Sequence, residues 1–415
     1  MRIFFFLISF FLAAQLNAQC GDRYKENIFP STTRYSNIPY GSNTNNLGEV
    51  ETLLMDVYTP MGDTASLRPI MIFVHGGSFI GGNKEEFVAM ASEFARKGYV
   101  TASINYRVHQ GTNPIAPILD FADDKNWYRA IIRAVQDTKA AIRYFKKDAA
   151  ENGNTYKIDT SNIILYGSSA GAIAILHAVF MADSAQLSNR YRDNITFLGG
   201  LEDQGGSPGY SSSLGIKAVV SCSGALGSAN WVKFRKDVAL IGFHNNPDLT
   251  VPYDIGCYIV AFCHLGQFYG GKSISDKAQE FGLTQEFYTF NAPGHPADGY
   301  DKPFVISKTT DFLYKLQCES VPTPVKDLPT EQAQIFPNPS NGNFRIVLPS
   351  GWKAVPPGTL RIMDLTGKTL LKEKLQGNNQ FTIQTNLPSG LYQVIIVPND
   401  PAYGICRGSV MITSD

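Results

Sequence analysis

The residues with the clearest chemical potential in this chain are Gly167-Ser168-Ser169-Ala170-Gly171. A serine in G-x-S-x-G spacing can act as a nucleophile when it sits on a turn too sharp for a Cβ at either flank. The flanks fit that requirement. The apolar β-type run Ile163-Ile164-Leu165-Tyr166 leads into the turn, and an apolar helical run over residues 170–181 leads out of it. Strand, turn and helix in that order hold the serine strained, with its hydroxyl exposed above the sheet. A second match, Gly205-Gly206-Ser207-Pro208-Gly209, provides a control. No apolar strand precedes it, and Pro208 removes the N–H that would stabilise an oxyanion. It lies in the Gly/Ser-rich stretch 199–213, which reads as a long loop. Ser169 is the candidate nucleophile and Ser207 is not; the plain alternative for Ser169 is a strand-to-helix turn with a serine cap.

A serine hydroxyl is a poor nucleophile at neutral pH and needs a base, with a carboxylate to orient that base. The strand–elbow–helix resembles that of the α/β-hydrolases, whose chain order is serine, acid, histidine. Six histidines compete. His75 and His109 precede the serine, His177 lies two turns along the elbow helix and faces away from its start, and His244 precedes the favoured acid. His264 sits in an apolar segment and is expected to pack. His295, in Asn291-Ala292-Pro293-Gly294-His295, directly follows the β-type run 286–290. A loop off the carboxyl end of a strand is where this fold places its base. For the acid, Asp248 lies just past a strand end in Asn246-Pro247-Asp248-Leu249-Thr250-Val251-Pro252; its plain alternative is a turn-forming aspartate. Asp298 and Asp301 follow the histidine, in the wrong order, and Asp276 falls in a helix. The expected catalytic set is Ser169, His295 and Asp248. An oxyanion hole is expected from the Ala170 amide together with amides of His75-Gly76-Gly77-Ser78-Phe79, the loop after the third strand.

These residues need a scaffold, and the hydrophobic pattern supplies one. Residues 49–60, 69–75, 100–106, 216–222, 238–243 and 285–290 read as strands, joined by the strand that enters the elbow. Residues 84–98, 127–149, 274–282 and 302–317 read as helices. Strands alternating with helices imply a mostly parallel sheet with helices on both faces. After Cys318 the helical period vanishes. Val321-Pro322-Thr323-Pro324 opens a stiff linker over 321–333. Beyond it, short alternating runs at 344–348, 360–363, 381–384, 391–397 and 409–412 are separated by turn signals and read as a small all-β sandwich over 334–415.

Length allows two or three domains. Lys+Arg and Asp+Glu are both 36, giving no net charge, which argues against nucleic acid as a partner. Arg2, an apolar run over 3–16 and Leu16-Asn17-Ala18 read as a signal peptide cut after residue 18. That run is shorter than the ~20 residues that span a bilayer, and no other stretch is long and apolar enough, so no transmembrane segment is expected in the mature chain. Six cysteines in an exported protein suggest disulfides in any of 15 pairings. Cys20 and Cys318 bracket the expected catalytic domain, 19–320, and are favoured as one pair. Cys222 falls in an apolar strand and reads as a buried thiol. No C-x-x-C spacing points to zinc, and the chemistry requires no cofactor.

Over roughly residues 45–317, the His75-Gly76-Gly77 loop, the elbow, the Asp248 segment and Gly294-His295 together resemble the carboxylesterases of the α/β-hydrolase superfamily, nearest to the H-G-G esterase and lipase group. That likeness implies that Gly77 and Ser78 supply the loop amides. Two departures are Ser78, where a third glycine is common, and Ser168, where relatives often carry Asp or Glu. The tail motifs Ile335-Phe336-Pro337-Asn338-Pro339, Asp364-Leu365-Thr366-Gly367-Lys368 and Leu387-Pro388-Ser389-Gly390-Leu391-Tyr392 resemble the C-terminal sorting domain of the Bacteroidetes type IX (Por) secretion system. This implies that the type IX machinery is a partner, with passage through the periplasm and outer membrane and then release or attachment at the cell surface. A carbohydrate-binding module is the alternative, although Trp352 is the tail's only tryptophan. The expected activity is hydrolysis of small-molecule or polymer esters through an acyl-enzyme. The alternatives are a secreted serine peptidase and a non-catalytic binding protein on a hydrolase scaffold.

Overall fold

The computed structural model describes residues 20–111, 117–181, 187–202, 204–258, 260–318, 333–348, 358–364, 368–375, 380–398 and 406–413. The expected signal peptide, nearly all of the linker, Trp352 and the middle of the Asp364–Lys368 motif lie outside these residues. The chain divides into two compact units, the first comprising Met1–Pro208 and Ser212–Val321, the second Gly209–Ser211 and Pro322–Asp415.

The strands of the first unit are β1 (Thr32–Thr44), β2 (Val50–Pro60), β3 (Arg68–Val74), β4 (Val100–Ile104), β5 (Ile158–Ser168), β6 (Ile216–Cys222), β7 (Ala225–Leu226), β8 (Ala239–Asn245), β9 (Ile255–Cys257), β10 (Gln267–Gly270) and β11 (Gln285–Phe290). Its helices are α1 (Val88–Arg96), α2 (Asp124–Glu151), α3 (Ala170–Phe180), α4 (Asn189–Phe197), α5 (Gly271–Glu280), α6 (Ala297–Tyr300) and α7 (Lys302–Cys318). Eight strands form one sheet in the order β1-β2-β4-β3-β5-β6-β8-β11. From β4 to β11 every pairing is parallel, while β1 and β2 add antiparallel edge strands. Parallel strands share one carboxyl edge. The loops that follow β3, β5, β8 and β11 therefore emerge side by side.

The sheet is covered on both faces, and β3 shows how. Its alternate residues Ile70, Ile72 and Val74 join a core with Ile131, Ala134, Val135 and Ile142 of α2 and Ile173 of α3. Met71 and Phe73 point the other way and pack with Met90 and Phe94 of α1 and Val305 and Phe312 of α7. A strand buried on both faces reads as continuous apolar sequence, which is how Pro69-Ile70-Met71-Ile72-Phe73-Val74 reads. The Asp123 side chain caps α2, accepting from the Lys125 N–H at 3.0 Å. Cys20 is bonded to Cys318, so the first described residue is clamped to the end of α7. A second disulfide joins Cys257 to Cys263, and Cys222 is a buried free thiol.

Three features differ from the sequence reading. The expected helix 84–98 begins as a 3₁₀ turn, Lys84–Phe87, before α1. The 13-residue β1 was not foreseen. It contains Pro39 and Gly41 and is largely exposed, as an edge strand tolerates, so it carries no clean alternation. The small antiparallel sheet β7-β10-β9 is built from strands of two to four residues, too short to leave a period in the sequence.

The second unit has two antiparallel sheets. One is β12 (Gln334–Phe336), β13 (Asn343–Val347) and β16 (Gln380–Gln384). The other runs in the order β15 (Thr369–Leu375), β14 (Gly358–Met363), β17 (Gly390–Pro398) and β18 (Cys406–Ile412). Phe344 and Ile346 of the first share one core with Leu360, Ile362, Val394 and Val410 of the second, which makes the unit a sandwich. Two tail motifs have structural roles here. Asn338 accepts from the Met411 N–H at 2.8 Å and donates to the Ser409 carbonyl at 2.8 Å, tying the Ile335–Pro339 motif to β18. The Tyr392 hydroxyl donates to the Pro388 carbonyl at 2.7 Å and closes its own turn.

Candidate active site

Ser169 lies between β5 and α3 with φ 54° and ψ −119°. That left-handed conformation is strained for a non-glycine residue. The elbow's glycines allow it. A methyl on Gly171 would lie 2.0 Å from the Val74 carbonyl oxygen, and one on Gly167 would lie 2.5 Å from the Gly171 oxygen. Both distances are far inside contact, so neither position accepts a side chain. The backbone is pinned from the far side, where the Ser169 N–H donates to the Cys222 carbonyl at 2.8 Å.

His295 and Asp248 arrive from the loops after β11 and β8. The Ser169 Oγ is 2.7 Å from His295 Nε2, and His295 Nδ1 is 2.7 Å from Asp248 Oδ2. A carboxylate only accepts, so Nδ1 carries the proton, and Nε2 is left to accept from the serine hydroxyl. Asp248 Oδ1 accepts from the N–H groups of Thr250 at 2.8 Å and Val251 at 3.1 Å. Burial by itself would raise the Asp248 pKa. The hydrogen bonds from His244 and His295, the charge of His295 and the Thr250 N–H outweigh it, and the carboxyl stays well below the usual carboxylate range.

The loop after β3 passes directly against the serine, and a methyl on Gly76 would lie 3.3 Å from Ser169 Cβ. Gly77, Ser78 and Phe79 all have positive φ, at 98°, 54° and 60°. Two donors hold the Gly76 carbonyl: His75 Nδ1 at 2.8 Å and the Tyr106 hydroxyl at 3.1 Å. In a trans peptide the N–H lies opposite the C=O, so the Gly77 N–H points away from those two side chains. The His75 ring stacks on Tyr106 at 4.2 Å. Burial lowers the His75 pKa to about 4, against the Gly76 hydrogen bond, so the ring is a neutral structural donor at pH 7.

The other sequence candidates fall elsewhere. His177 is bonded to the Ile173 carbonyl and the Tyr191 hydroxyl inside the core. His264 is more exposed than expected and bonds the Phe121 carbonyl through Nε2 at 3.1 Å. The loop carrying Ser207 is tied to the scaffold by Ser42 N–H on the Gly205 carbonyl and Arg143 on the Gly206 carbonyl. Two residues set aside on chain order lie at the site after all. His244 accepts from the Gly271 N–H through Nδ1 at 3.3 Å, so its Nε2–H faces Asp248 Oδ2 at 3.3 Å and the Val251 carbonyl at 3.2 Å. Its position four residues before Asp248, at a strand end, was the available signal. Asp298 is buried behind the elbow and accepts from Ser168 Oγ at 2.7 Å and the Tyr166 hydroxyl at 3.0 Å. Burial raises its pKa, with those two hydroxyls opposing.

Residues 55–247 match the BD-FAE family, and residues 334–402 match the secretion system C-terminal sorting domain. A phenmedipham hydrolase of Pseudarthrobacter oxydans is 30% identical over 124 residues, which is 30% of this chain and 22% of that protein. Among solved structures, the apo form of Thermogutta terrifontis esterase 2 is similar with 18% identity and a TM-score of 0.44, covering 70% of this chain and 96% of that one. The butyrate-bound structure of the thermophilic Thermogutta terrifontis esterase is similar with 18% identity and a TM-score of 0.42, covering 65% and 91%. Among the described residues, no helix is long and apolar enough to cross a membrane. The chain thus carries an α/β region similar to the BD-FAE family, followed by a C-terminal region similar to the secretion system sorting domain, a signal of the type IX route to the cell surface or the extracellular space.

Proposed function

We propose that this chain is a secreted serine carboxylesterase. The observation that carries the reading is the unbroken line from Ser169 through His295 to Asp248, with both links at 2.7 Å. Ser169 attacks the ester carbonyl while His295 Nε2 takes its proton. Asp248 holds the imidazole in the right tautomer and stabilises the imidazolium. The Gly77, Ser78 and Ala170 amides face the developing oxyanion, and His295 then returns its proton to the leaving alcohol. Water repeats the sequence on the acyl-enzyme and releases the acid. The BD-FAE match supports ester substrates, and the sorting tail supports polymers or lipids outside the cell: acetylated or feruloylated plant polysaccharides, triglycerides or polyesters. We assign residues 1–18 to a signal peptide, 19–320 to catalysis, 321–333 to a linker and 334–415 to sorting.

Initial rates on short-chain p-nitrophenyl esters test the proposal. Ser169→Ala should lower kcat about 10⁴-fold or more with the fold intact, and His295→Ala should match it because the two act as a unit. An inactive wild-type enzyme, or activity surviving in Ser169→Ala, would refute the reading. A panel of acetylated xylan, feruloylated oligosaccharide, triglyceride and polyester film then assigns the substrate.

A further inference from the structure

The histidine that meets Ser169 starts far from it in the sheet. β5, which carries the serine, and β11, which leads into the histidine loop, are separated by β6 and β8. Three inter-strand steps of about 4.8 Å put their ends about 14 Å apart. Yet His295 Nε2 lies 2.7 Å from Ser169 Oγ. The chain after β11 must therefore turn back across the strand ends. Packing does little to hold it there, because residues 291–296 are exposed or half-buried.

Hydrogen bonds tie the returning segment down strand by strand. At the end of β8, Asn245 Nδ2 donates to the Ala292 carbonyl at 3.1 Å, and the Gly294 N–H donates to the Pro247 carbonyl at 3.3 Å. Just past β6, Ser223 Oγ accepts from the Ala297 N–H at 3.1 Å. At the end of β5, Asp298 accepts from Ser168 Oγ at 2.7 Å and from the Tyr166 hydroxyl at 3.0 Å. Asp298, Ser168 and Tyr166 are all buried, so water competes little for this last tie. It is also the tie nearest the chemistry. Ser168 directly precedes the nucleophile, and Asp298 follows the base by three residues. The Ser168–Asp298 and Ser169–His295 bonds thus close one small ring of chain. A ring this short has little conformational freedom, so holding one bond restricts the distance across the other.

We propose that Asp298 is a positioning residue for the ester hydrolysis above: through Ser168 it holds His295 Nε2 within proton-transfer reach of Ser169 Oγ. It touches no reacting atom and takes no proton in the step. Its two oxygens take two hydroxyl donors that both belong to β5, so the base loop is fixed to the strand that carries the nucleophile. The effect on rate is steep, because misplacing a reacting group by about 1 Å can cost about 100-fold.

The inference rests on the serine-esterase reading, and substitutions away from the reacting atoms test it separately. Rates on p-nitrophenyl butyrate are measured well below each variant's melting temperature. Asp298→Ala and Ser168→Ala should each lower kcat about 10- to 100-fold with KM within about threefold. The double variant should be no slower than Asp298→Ala alone, because both changes cut the same bond. Asp298→Asn should recover kcat to within about fivefold of wild type, since an amide accepts from one hydroxyl and donates to the other. If Asp298→Ala does not fold, Ser168→Ala decides, as it removes only the hydroxyl at the elbow. A kcat within about threefold of wild type in the alanine variants, whatever their melting temperatures, leaves Asp298 a purely structural group and overturns the proposal. So does a loss confined to KM, which would put the network on substrate binding. So does an Asp298→Asn variant as slow as Asp298→Ala, which would make the charge and not the bonds the cause. Any of these with wild-type activity that depends on Ser169 defeats this inference alone. Activity independent of Ser169 defeats the parent reading and this inference with it.

Discussion

Replacing aspartate by asparagine at the two buried positions Asp248 and Asp298 should give opposite results, because the partners differ in kind. Asp248 is surrounded only by donors: His295 Nδ1 and His244 Nε2 on Oδ2, and the Thr250 and Val251 N–H groups on Oδ1. An amide has a single accepting oxygen. In Asp248→Asn the NH₂ must therefore face either the two backbone N–H groups or the two imidazoles. Turned toward His295, it imposes the tautomer whose Nε2 bears hydrogen, and that nitrogen can no longer take the Ser169 proton. Turned toward the backbone, it strands buried donors at about 1–3 kcal/mol each. Either way the charge that stabilises the imidazolium is gone. We expect kcat to fall about 10³- to 10⁴-fold, or about 4–5.5 kcal/mol of barrier. Stability should fall by about 2–5 kcal/mol, which lowers the melting temperature by about 3–8 °C in a unit of this size. Asp298 is bonded instead to two hydroxyls, Ser168 Oγ and Tyr166 OH. A hydroxyl can donate or accept, so one of them turns over to meet an NH₂, and the cost of a buried carboxylate disappears. Asp298→Asn should keep kcat/KM within about fivefold and melt within about 2 °C of wild type, a difference of about 1 kcal/mol. Initial rates on p-nitrophenyl butyrate and near-ultraviolet circular-dichroism melts measure both. Asp248→Asn within tenfold of wild type, or the reverse ranking of the two variants, would refute this reasoning and move the acid to Asp298.

Further expectations concern the control serine, acid and the tail. Ser207→Ala should leave kcat/KM unchanged in the assay that Ser169→Ala fails. Burial lowers the pKa of both His75 and His177 to about 4 from 6.5, against the hydrogen bonds to the Gly76 and Ile173 carbonyls. The unfolded chain therefore binds more protons between those values, and folded stability is lost as pH falls from about 6.5 toward 4, at up to about 1.4 kcal/mol per pH unit for each histidine. Urea midpoints measured from pH 7.5 to 4.5 should fall in that window, and flat midpoints would contradict the burial argument. A chain ended after Cys318 retains every residue of the first sheet and both disulfides. Its kcat/KM on a small soluble ester should stay within about threefold of full length, under 1 kcal/mol. In the native host it should remain in the periplasm; export without the tail would contradict the sorting role.

Much of this protein was legible from sequence because its key constraints are local. The elbow needs glycine on both sides of Ser169 within five residues. A strand buried on both faces must be apolar throughout, as β3 is. The loops holding His295 and Asp248 follow directly on β-type runs, so parallel pairing alone brings them to one edge. The turn and strand spacing of the tail likewise reads directly as an antiparallel sandwich. Contacts between residues far apart in the chain were decided only by tertiary structure. Chain order set His244 and Asp298 aside, yet folding sets one against Asp248 and the other against Ser168. Composition permits 15 disulfide pairings; the places of Cys20 and Cys318 at the two ends of the catalytic domain favoured that pair, as found, whereas only packing paired Cys257 with Cys263 and left Cys222 a free thiol. The physical reason is common to all of these. Sequence periodicity records which face of an element is buried, whereas a polar side chain takes its role from partners that arrive when distant segments pack.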